Sequence, residues 1–275
     1  MSNISSNEKN FEISEECGPV EKIHRQTTTG KVSDKWISYL KVYDRLFAPL
    51  QNRSIRLFEI GVQNGGSLDL WSKYFINAEV IVGCDINPRC NKLSYADSRI
   101  HVVVGDANES QTFEKVSQIS DRFDIIIDDG SHRSDDILNS FNIYFPLLKP
   151  GGIFIVEDTH ALYENGGLKQ IKSAMAFFKL FADLVNYEFW KSDSTIEKLL
   201  NGFVSKTQLT DEVNAGWVES IEFRNSMIII RKELTPTHSK LGARSIVGTE
   251  AVANDLVLKI KLGKVRSWKN PKTWF

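Results

Sequence analysis

The chain has 275 residues and a formal net charge of −1, so no overall field draws it to nucleic acid or to acidic lipid. Cys17, Cys84 and Cys90 form no disulfide framework and show no C-x-x-C metal spacing, a pattern expected of reduced thiols in a cytoplasmic protein. No run approaches the length of a membrane span, and the polar opening MSNISSNEKNFEISEE lacks the apolar core of a secretory signal.

In chain order, residues 1–33 read as an N-terminal arm, frayed over 1–20, and an N-terminal helical segment leads into the sheet. Five apolar runs rich in β-branched residues follow: IRLFEI (55–60), EVIVGCD (79–85), IHVVVGD (100–106), FDIIIDD (123–129) and GIFIVED (152–158). Continuous runs of this kind suit strands covered on both faces, hence a parallel sheet. The segments between them are long enough for crossover helices. SLDLWSKYF (67–75) has helical spacing, and SDDILNSFNIYFPLL (134–148) predicts a helix with Ser134 as N-cap and Asp135 and Asp136 in its first turn. Lys149-Pro150-Gly151-Gly152 should end that helix and turn into the next strand. LKQIKSAMAFFKLFADLVNY (168–187) reads as one long amphipathic helix. WVESIEFRNSMIIIRKE (217–233) reads as a β-hairpin around Arg224-Asn225-Ser226.

The domain so outlined spans 34–233. Residues 234–275 form a basic extension in which Lys240, Arg244 and six further cations face only Glu250 and Asp255, with Trp268, Trp274 and Phe275 interleaved. Such a tail suits packing on the domain or on a partner subunit of a homo-oligomer. Contact with a lipid-linked acceptor at a membrane face is the functional alternative.

Two features carry chemistry. EIGVQNGGS (59–67) joins a strand to a helix, and glycines there let a backbone come close to a ligand. The spacing departs from the dinucleotide pattern, with Gln63 where its second glycine would stand. Glu59 just before the loop would repel a phosphate and attract a cation, and S-adenosylmethionine carries both a sulfonium and an ammonium. Asp85, closing the second strand, can accept both ribose hydroxyls, the role of the acid about 20 positions beyond a nucleotide loop. Asp106 closes the third strand and is placed for the adenine end. The second feature is EDTH (157–160): adjacent acids leaving a buried strand repel each other and call for a positive partner.

On LFEIGVQNGGSLDLWSKYF, VGCDINPRC, FDIIIDDGSH, LLKPGGIFIVEDTH and IEFRNSMIIIRK, the chain resembles class I S-adenosylmethionine-dependent methyltransferases. Within them it is similar to the metal-dependent sugar O-methyltransferases of the macrolide and glycolipid type. The resemblance covers roughly residues 34–233. It implies a doubly wound, Rossmann-like α/β fold with a seven-stranded sheet of order 3-2-1-4-5-7-6, strand 7 antiparallel. It implies S-adenosylmethionine at Glu59, Gly61, Asn64, Gly65, Ser67, Asp85, Asp106 and Asp128. It also implies Mg²⁺ (or Mn²⁺) at Asp129, Glu157 and Asp158, with Asp129 and His132 as catalytic residues and His132 as general base. Relatives often carry a T-D-K-G-x-H-like stretch before the first strand. Here SDKWISYL (33–40) lacks the histidine, and no role is assigned to it.

The physical reading agrees. Neighbouring fourth and fifth strands bring Asp129 beside Glu157 and Asp158, and converging carboxylates suit a hard divalent ion. His132 lies just before a helix whose positive end disfavours imidazolium, leaving a neutral base near pH 7. The expected reaction is methyl transfer to a sugar hydroxyl of a glycan, a glycolipid or a glycosylated small molecule. Two alternatives stay open: a catechol or other phenolic acceptor, and a non-catalytic cofactor-binding subunit. The DGSH histidine favours the aliphatic hydroxyl, because a phenol ionises more easily and needs a weaker base.

Overall fold

The structure, a computed structural model, describes residues 17–28, 30–164, 172–190, 195–200, 202–203, 208–214 and 216–236, with isolated positions 240, 245 and 247. Its contacts divide the chain into units Met1–His238 and Ser239–Phe275. Everything below belongs to the first. Most of the basic extension and the start of the N-terminal arm lie outside the described residues.

Seven strands form one sheet: β1 (Arg56–Ile60), β2 (Val80–Asp85), β3 (Ile100–Val104), β4 (Phe123–Asp128), β5 (Leu148–Val156), β6 (Val218–Arg224) and β7 (Met227–Lys232). Their order is β3-β2-β1-β4-β5-β7-β6. β1 to β5 pair in parallel, and β7 runs antiparallel between β5 and β6. This is the expected doubly wound arrangement.

The side-chain alternation of the strands divides the core in two. One face carries Leu57, Ile81, Ile125, Ile127, Ile155 and Ile229. It is covered by α1 (Pro19–Gln26), α2 (Ile37–Phe47) and α3 (Gly66–Tyr74). The other carries Phe58, Val82, Ile126, Phe154 and Ile230 under α4 (Ser110–Ile119) and α5 (Ser134–Tyr144). After the short α6 (Ala161–Glu164), the helices α7 (Ala174–Leu184), α8 (Ile196–Leu200) and α9 (Gln208–Asn214) complete that layer. Phe141 of α5 meets Phe177, Phe178 and Phe181 of α7 at ring separations of 5.2–6.0 Å, which seats α7 beside α5. Among the described residues no helix is long and apolar enough to cross a membrane.

Three local expectations are corrected. Ser134 is the first residue of α5 rather than its cap; Arg133 takes that place, and the Ser134 hydroxyl accepts from the Ala174 amide at 3.1 Å, at the start of α7. Lys149-Pro150-Gly151-Gly152 does not precede the strand but lies within β5, which starts at Leu148 opposite Phe123. The extra residues are absorbed as a bulge before Ile125 pairs with Ile153, with Gly151 at φ +76°. The long helix expected over 168–187 is, in its described part, the shorter α7. Ser173 caps it by accepting from the Ala176 amide, and a 3-10 turn follows at Tyr187–Phe189.

Candidate active site

The C-terminal ends of β1, β2, β3, β4 and β5 open into one cavity of about 570 Å³. Ligands of open α/β sheets bind at this edge. At one end of it lie Gly61, Gln63, Asp85, Ile86, Asp106 and Asn108; at the other lie Lys35, Trp36, Tyr39, Asp129, His132, Glu157, Asp158 and His160.

The acids of the first end are set by their own loops. Asp85 accepts from the amides of Gln63 (2.7 Å) and Asn87 (2.8 Å), Asp106 from Asn108 (2.9 Å) and Asp128 from Gly130 (3.2 Å). The last three are turns in which an aspartate binds the amide two residues on. Asp128 is buried and also accepts from Ser140 Oγ; burial pushes its carboxyl up to about 6. Ile86, beside Asp85, is 68% exposed on the cavity wall, an apolar surface fit for a flat ring.

The glycine loop serves packing more than expected. At Gly61, φ is +86° and a Cβ would stand 2.0 Å from the carbonyl oxygen of Asp129, so the glycine lets the first strand end pass under the fourth. A Cβ on Gly66 would strike the backbone of Val32, whose oxygen accepts from the Gly66 amide at 3.1 Å. Segment 31–36 is thereby laid across the loop, with Lys31 held at 3.6 Å from Asp69. Of the residues expected to hold the cofactor, Gly61, Asp85, Asp106 and Asp128 line the cavity. Glu59, Asn64, Gly65 and Ser67 do not line it: Glu59, Gly65 and Ser67 are buried and Asn64 is exposed on the surface. Glu59 is fully buried and accepts from Ser67 Oγ (2.7 Å) and Trp71 Nε1 (3.1 Å).

The other end contains the answer to the acid pair. Backbone bonds from Asp129 N to Ile60 O and from Glu157 N to Asp128 O, each 2.9 Å, extend the ladder past the strands and bring the three chain ends side by side. Between them sits Lys35, its side chain 3% exposed. Its ammonium donates to Asp129 Oδ2 (2.5 Å) and Glu157 Oε1 (2.8 Å) and stands 3.5 Å from Glu59 Oε1. Burial by itself would lower the lysine; Glu157, Asp129 and Glu59 together raise it well above its ordinary value, so it is a fixed cation. Burial holds Asp129 at about 6 and Glu157 at about 7 despite that cation.

Helix α2 supplies two hydroxyls one turn apart on its inner face. Tyr43 donates to Glu157 Oε1, and Tyr39 donates to Asp158 Oδ1 at 2.7 Å. Asp158 has left the strand with φ +51°, and its carboxylate turns away from that of Glu157. It faces His132 Nε2 at 3.7 Å and His160 Nδ1 at 3.8 Å. His132 likewise has φ +57°, and burial lowers its imidazole below the usual value in spite of Asp158 and Glu157. The β6–β7 turn closes this end. Ser226, at φ +65°, accepts from Tyr39 and Thr159 through its carbonyl (both 3.1 Å), and its hydroxyl meets His160 Nδ1 at 2.5 Å. Trp36, 60% exposed, packs edge-on against His160 at the mouth.

The three acids expected to hold a metal thus fall into two overlapping groups. Donor atoms of Asp129, His132 and Asp158 lie within 4.8 Å of one another, and so do those of Glu59, Asp129 and Glu157. The first group opens on the cavity, and its two carboxylates fit a divalent ion with the His132 imidazole beside them. The second is filled by Lys35. Lys35, Trp36, Tyr39, Tyr43 and Ser226 were not anticipated. The one legible sign was the pair of tyrosines four apart, Tyr39 and Tyr43, on one face of the helix read from ISYLKVYDRLF.

Residues 58–159 match a family described as a methyltransferase domain. Over 140 residues the chain is 36% identical to an 8-demethyl-8-alpha-L-rhamnosyl tetracenomycin-C 2'-O-methyltransferase of Streptomyces olivaceus, covering 48% of this chain and 36% of that protein. Over 131 residues it is 35% identical to a mycinamicin VI 2''-O-methyltransferase of Micromonospora griseorubida (45% and 32%). The chain spans about a third of the length of these curated relatives. Among solved structures, the mycinamycin-pathway methyltransferase MycE, in complex with Mg and SAH, superposes with a TM-score of 0.64 at 22% identity, over 88% of this chain and 60% of that one; this likeness supports the fold.

Proposed function

We propose that this chain, which carries a methyltransferase domain over residues 58–159, moves the methyl group of S-adenosylmethionine to a hydroxyl of a sugar on a glycosylated acceptor, with a divalent metal. The observation that carries the reading is the single cavity. It joins an end with Asp85 and the apolar Ile86, suited to a nucleoside, to an end with paired carboxylates and a half-buried histidine whose imidazole burial lowers below its usual value. The relatives' names, several of which specify O-methyl transfer to rhamnosyl or olivosyl compounds, support the acceptor class.

In this reading Asp85 takes the ribose hydroxyls and Asp106 stands at the adenine end. Asp129 and Asp158, with His132 beside them, would hold Mg²⁺ or Mn²⁺, and Glu157 holds Asp129 in place through Lys35. A metal bound there lowers the pKa of an acceptor oxygen. The acceptor oxygen forms its new bond to the methyl carbon as the carbon–sulfur bond breaks. The electron pair leaves with sulfur, which loses its positive charge, and the hydroxyl proton passes to the His132 imidazole. Tyr39 and Ser226 fix the Asp158 loop, so that His132 and Asp158 keep their mutual placement. Trp36 offers an exposed ring to the apolar face of the sugar. Work in the cytoplasm suits the free thiols, two of which, Cys84 and Cys90, are buried.

The test is transfer of labelled methyl from S-adenosylmethionine to a panel of rhamnosylated small molecules, glycans and catechols in the presence of Mg²⁺. Label on a sugar oxygen is expected. Label on catechols alone would move the acceptor to the phenolic class. No transfer to any acceptor by protein that still binds S-adenosylhomocysteine would leave a binding subunit.

A further inference from the structure

We propose that the Lys35 ammonium is a built-in cation filling the inner of two cation positions in the acid cluster, so that the cluster accepts one divalent ion, on the Asp158 side. The inference rests on the metal-dependent reading above.

Asp129 belongs to both groups of donors, so the cluster has the layout of a two-cation site sharing one carboxylate. In the inner group, Glu59, Asp129 and Glu157 converge on a point at the inner wall of the cavity, and the ammonium stands there, at 3.5, 2.5 and 2.8 Å. Two of the ammonium's donors go to Asp129 and Glu157, and the same charge faces Glu59 Oε1 as an ion pair, so one cation serves all three carboxylates. Glu59 Oε1 makes the point independently. It is buried and has no hydrogen-bond partner, while its sister oxygen is satisfied by Ser67 and Trp71; the free oxygen is aimed at Lys35. A carboxylate oxygen left in this state costs free energy unless a cation is close by.

The cation cannot exchange with solvent. Lys35 is tethered through segment 31–36, which is bound to the glycine loop at Gly66 and to Asp69. The outer group differs in each respect. Asp158 and His132 are partly exposed and line the cavity, so a solvent ion can reach the Asp158 carboxylate with His132 beside it. Lys35 is therefore a positioning residue. It holds Asp129 and Glu157 in the geometry that the outer ion needs and keeps a second ion out.

The experiment is titration of the full chain with Mn²⁺ alone, following the free-ion signal by electron paramagnetic resonance, on wild type, Lys35→Met and Lys35→Arg. Wild type should bind one Mn²⁺ per chain. Lys35→Met should bind two and gain more in melting temperature from Mn²⁺ than wild type does, whereas Lys35→Arg, which keeps the charge, should stay at one. Two ions in wild type, or one ion of unchanged affinity in Lys35→Met, would overturn the proposal. If Lys35→Met folds only with Mn²⁺ present, elemental analysis of the folded protein decides: two ions per chain support the proposal and one overturns it. S-adenosylhomocysteine affinity, measured by calorimetry on the same samples, separates the readings. No Mn²⁺ on wild type that binds the nucleoside removes the metal site and this inference with it, while leaving the methyltransferase domain.

Discussion

At the Asp85 end of the cavity each acid is held by its own loop: Asp85, Asp106 and Asp128 all bind the amide two residues on. At the Glu157 end the partners come from far along the chain. Lys35 lies 94 positions from Asp129 and 122 from Glu157, and Tyr39 is 187 from Ser226. The first end can be read in short motifs and survives as long as its strands do. The second exists only when the arm before the sheet, helix α2, two strand ends and the last hairpin are all in place. In the proposed reading, local construction suits a cofactor that many proteins share, and assembled construction lets the acceptor end vary by changing elements outside the shared sheet.

Substitutions can break that contrast. The largest effect is expected from His132→Ala, which should lower turnover by roughly 10²–10⁴-fold. S-adenosylhomocysteine binding at the other end should be unchanged, as calorimetry and single-turnover assays on one preparation would show. A folded variant with near-normal turnover would mean that the proton leaves by another route. Asp85→Ala should do the converse. Loss of a charge-assisted partner costs about 1.5–3 kcal/mol, or roughly 10- to 100-fold in S-adenosylhomocysteine affinity, with Mn²⁺ affinity unaffected. If both affinities fall together, the two ends are not independent.

Tyr43→Phe sharpens the comparison from the side of stability. The lost hydroxyl leaves a fully buried Glu157 short of a donor, at a cost of about 1–3 kcal/mol in the unfolding free energy, with the nucleoside end intact. Equal urea midpoints for variant and wild type would show the hydroxyl to be dispensable. The smallest effect concerns pH in chelated protein. Burial raises Asp128 and Asp129 to about 6 and Glu157 to about 7, above their unfolded values near 4. The folded state then holds protons that the unfolded chain has released. Stability from these groups is full below their unfolded values and is lost as pH rises through about 6 to 7. Melting temperature should therefore increase on acidification across that window in chelator, and less so with Mg²⁺. A flat profile in chelator would indicate that Lys35 alone balances the acids.

The sheet was legible because runs such as FDIIIDD and GIFIVED are too apolar to lie anywhere but between two layers, and their terminal acids mark the ligand edge. Asp129 and Glu157 could be paired from the sequence once the strand order was taken from the resemblance. Lys35 could not, because nothing local distinguishes a buried lysine from a solvated one; only the three carboxylates around it do. The Gly61 requirement was read as room for a ligand, whereas the space is taken by the Asp129 carbonyl, a partner set by the β1–β4 register. Ser134 misled for the opposite reason. Its sequence context suits a cap, and tertiary packing gave its hydroxyl to α7 instead.

The placement of β7 between β5 and β6 has a consequence for synthesis. The strand that covers the β5 edge is the last of the seven to be made, and the Ser226 turn that fixes Tyr39, Thr159 and His160 comes immediately before it. A ribosome-bound chain that has produced β1 to β5 carries a paired parallel sheet with one apolar edge bare, which is a template for pairing with other chains. It can already shape the Asp85 end, but the acid end stays without its closure until residues 218–232 emerge. Premature termination in the α7–α9 region would thus yield a protein prone to aggregate through β5.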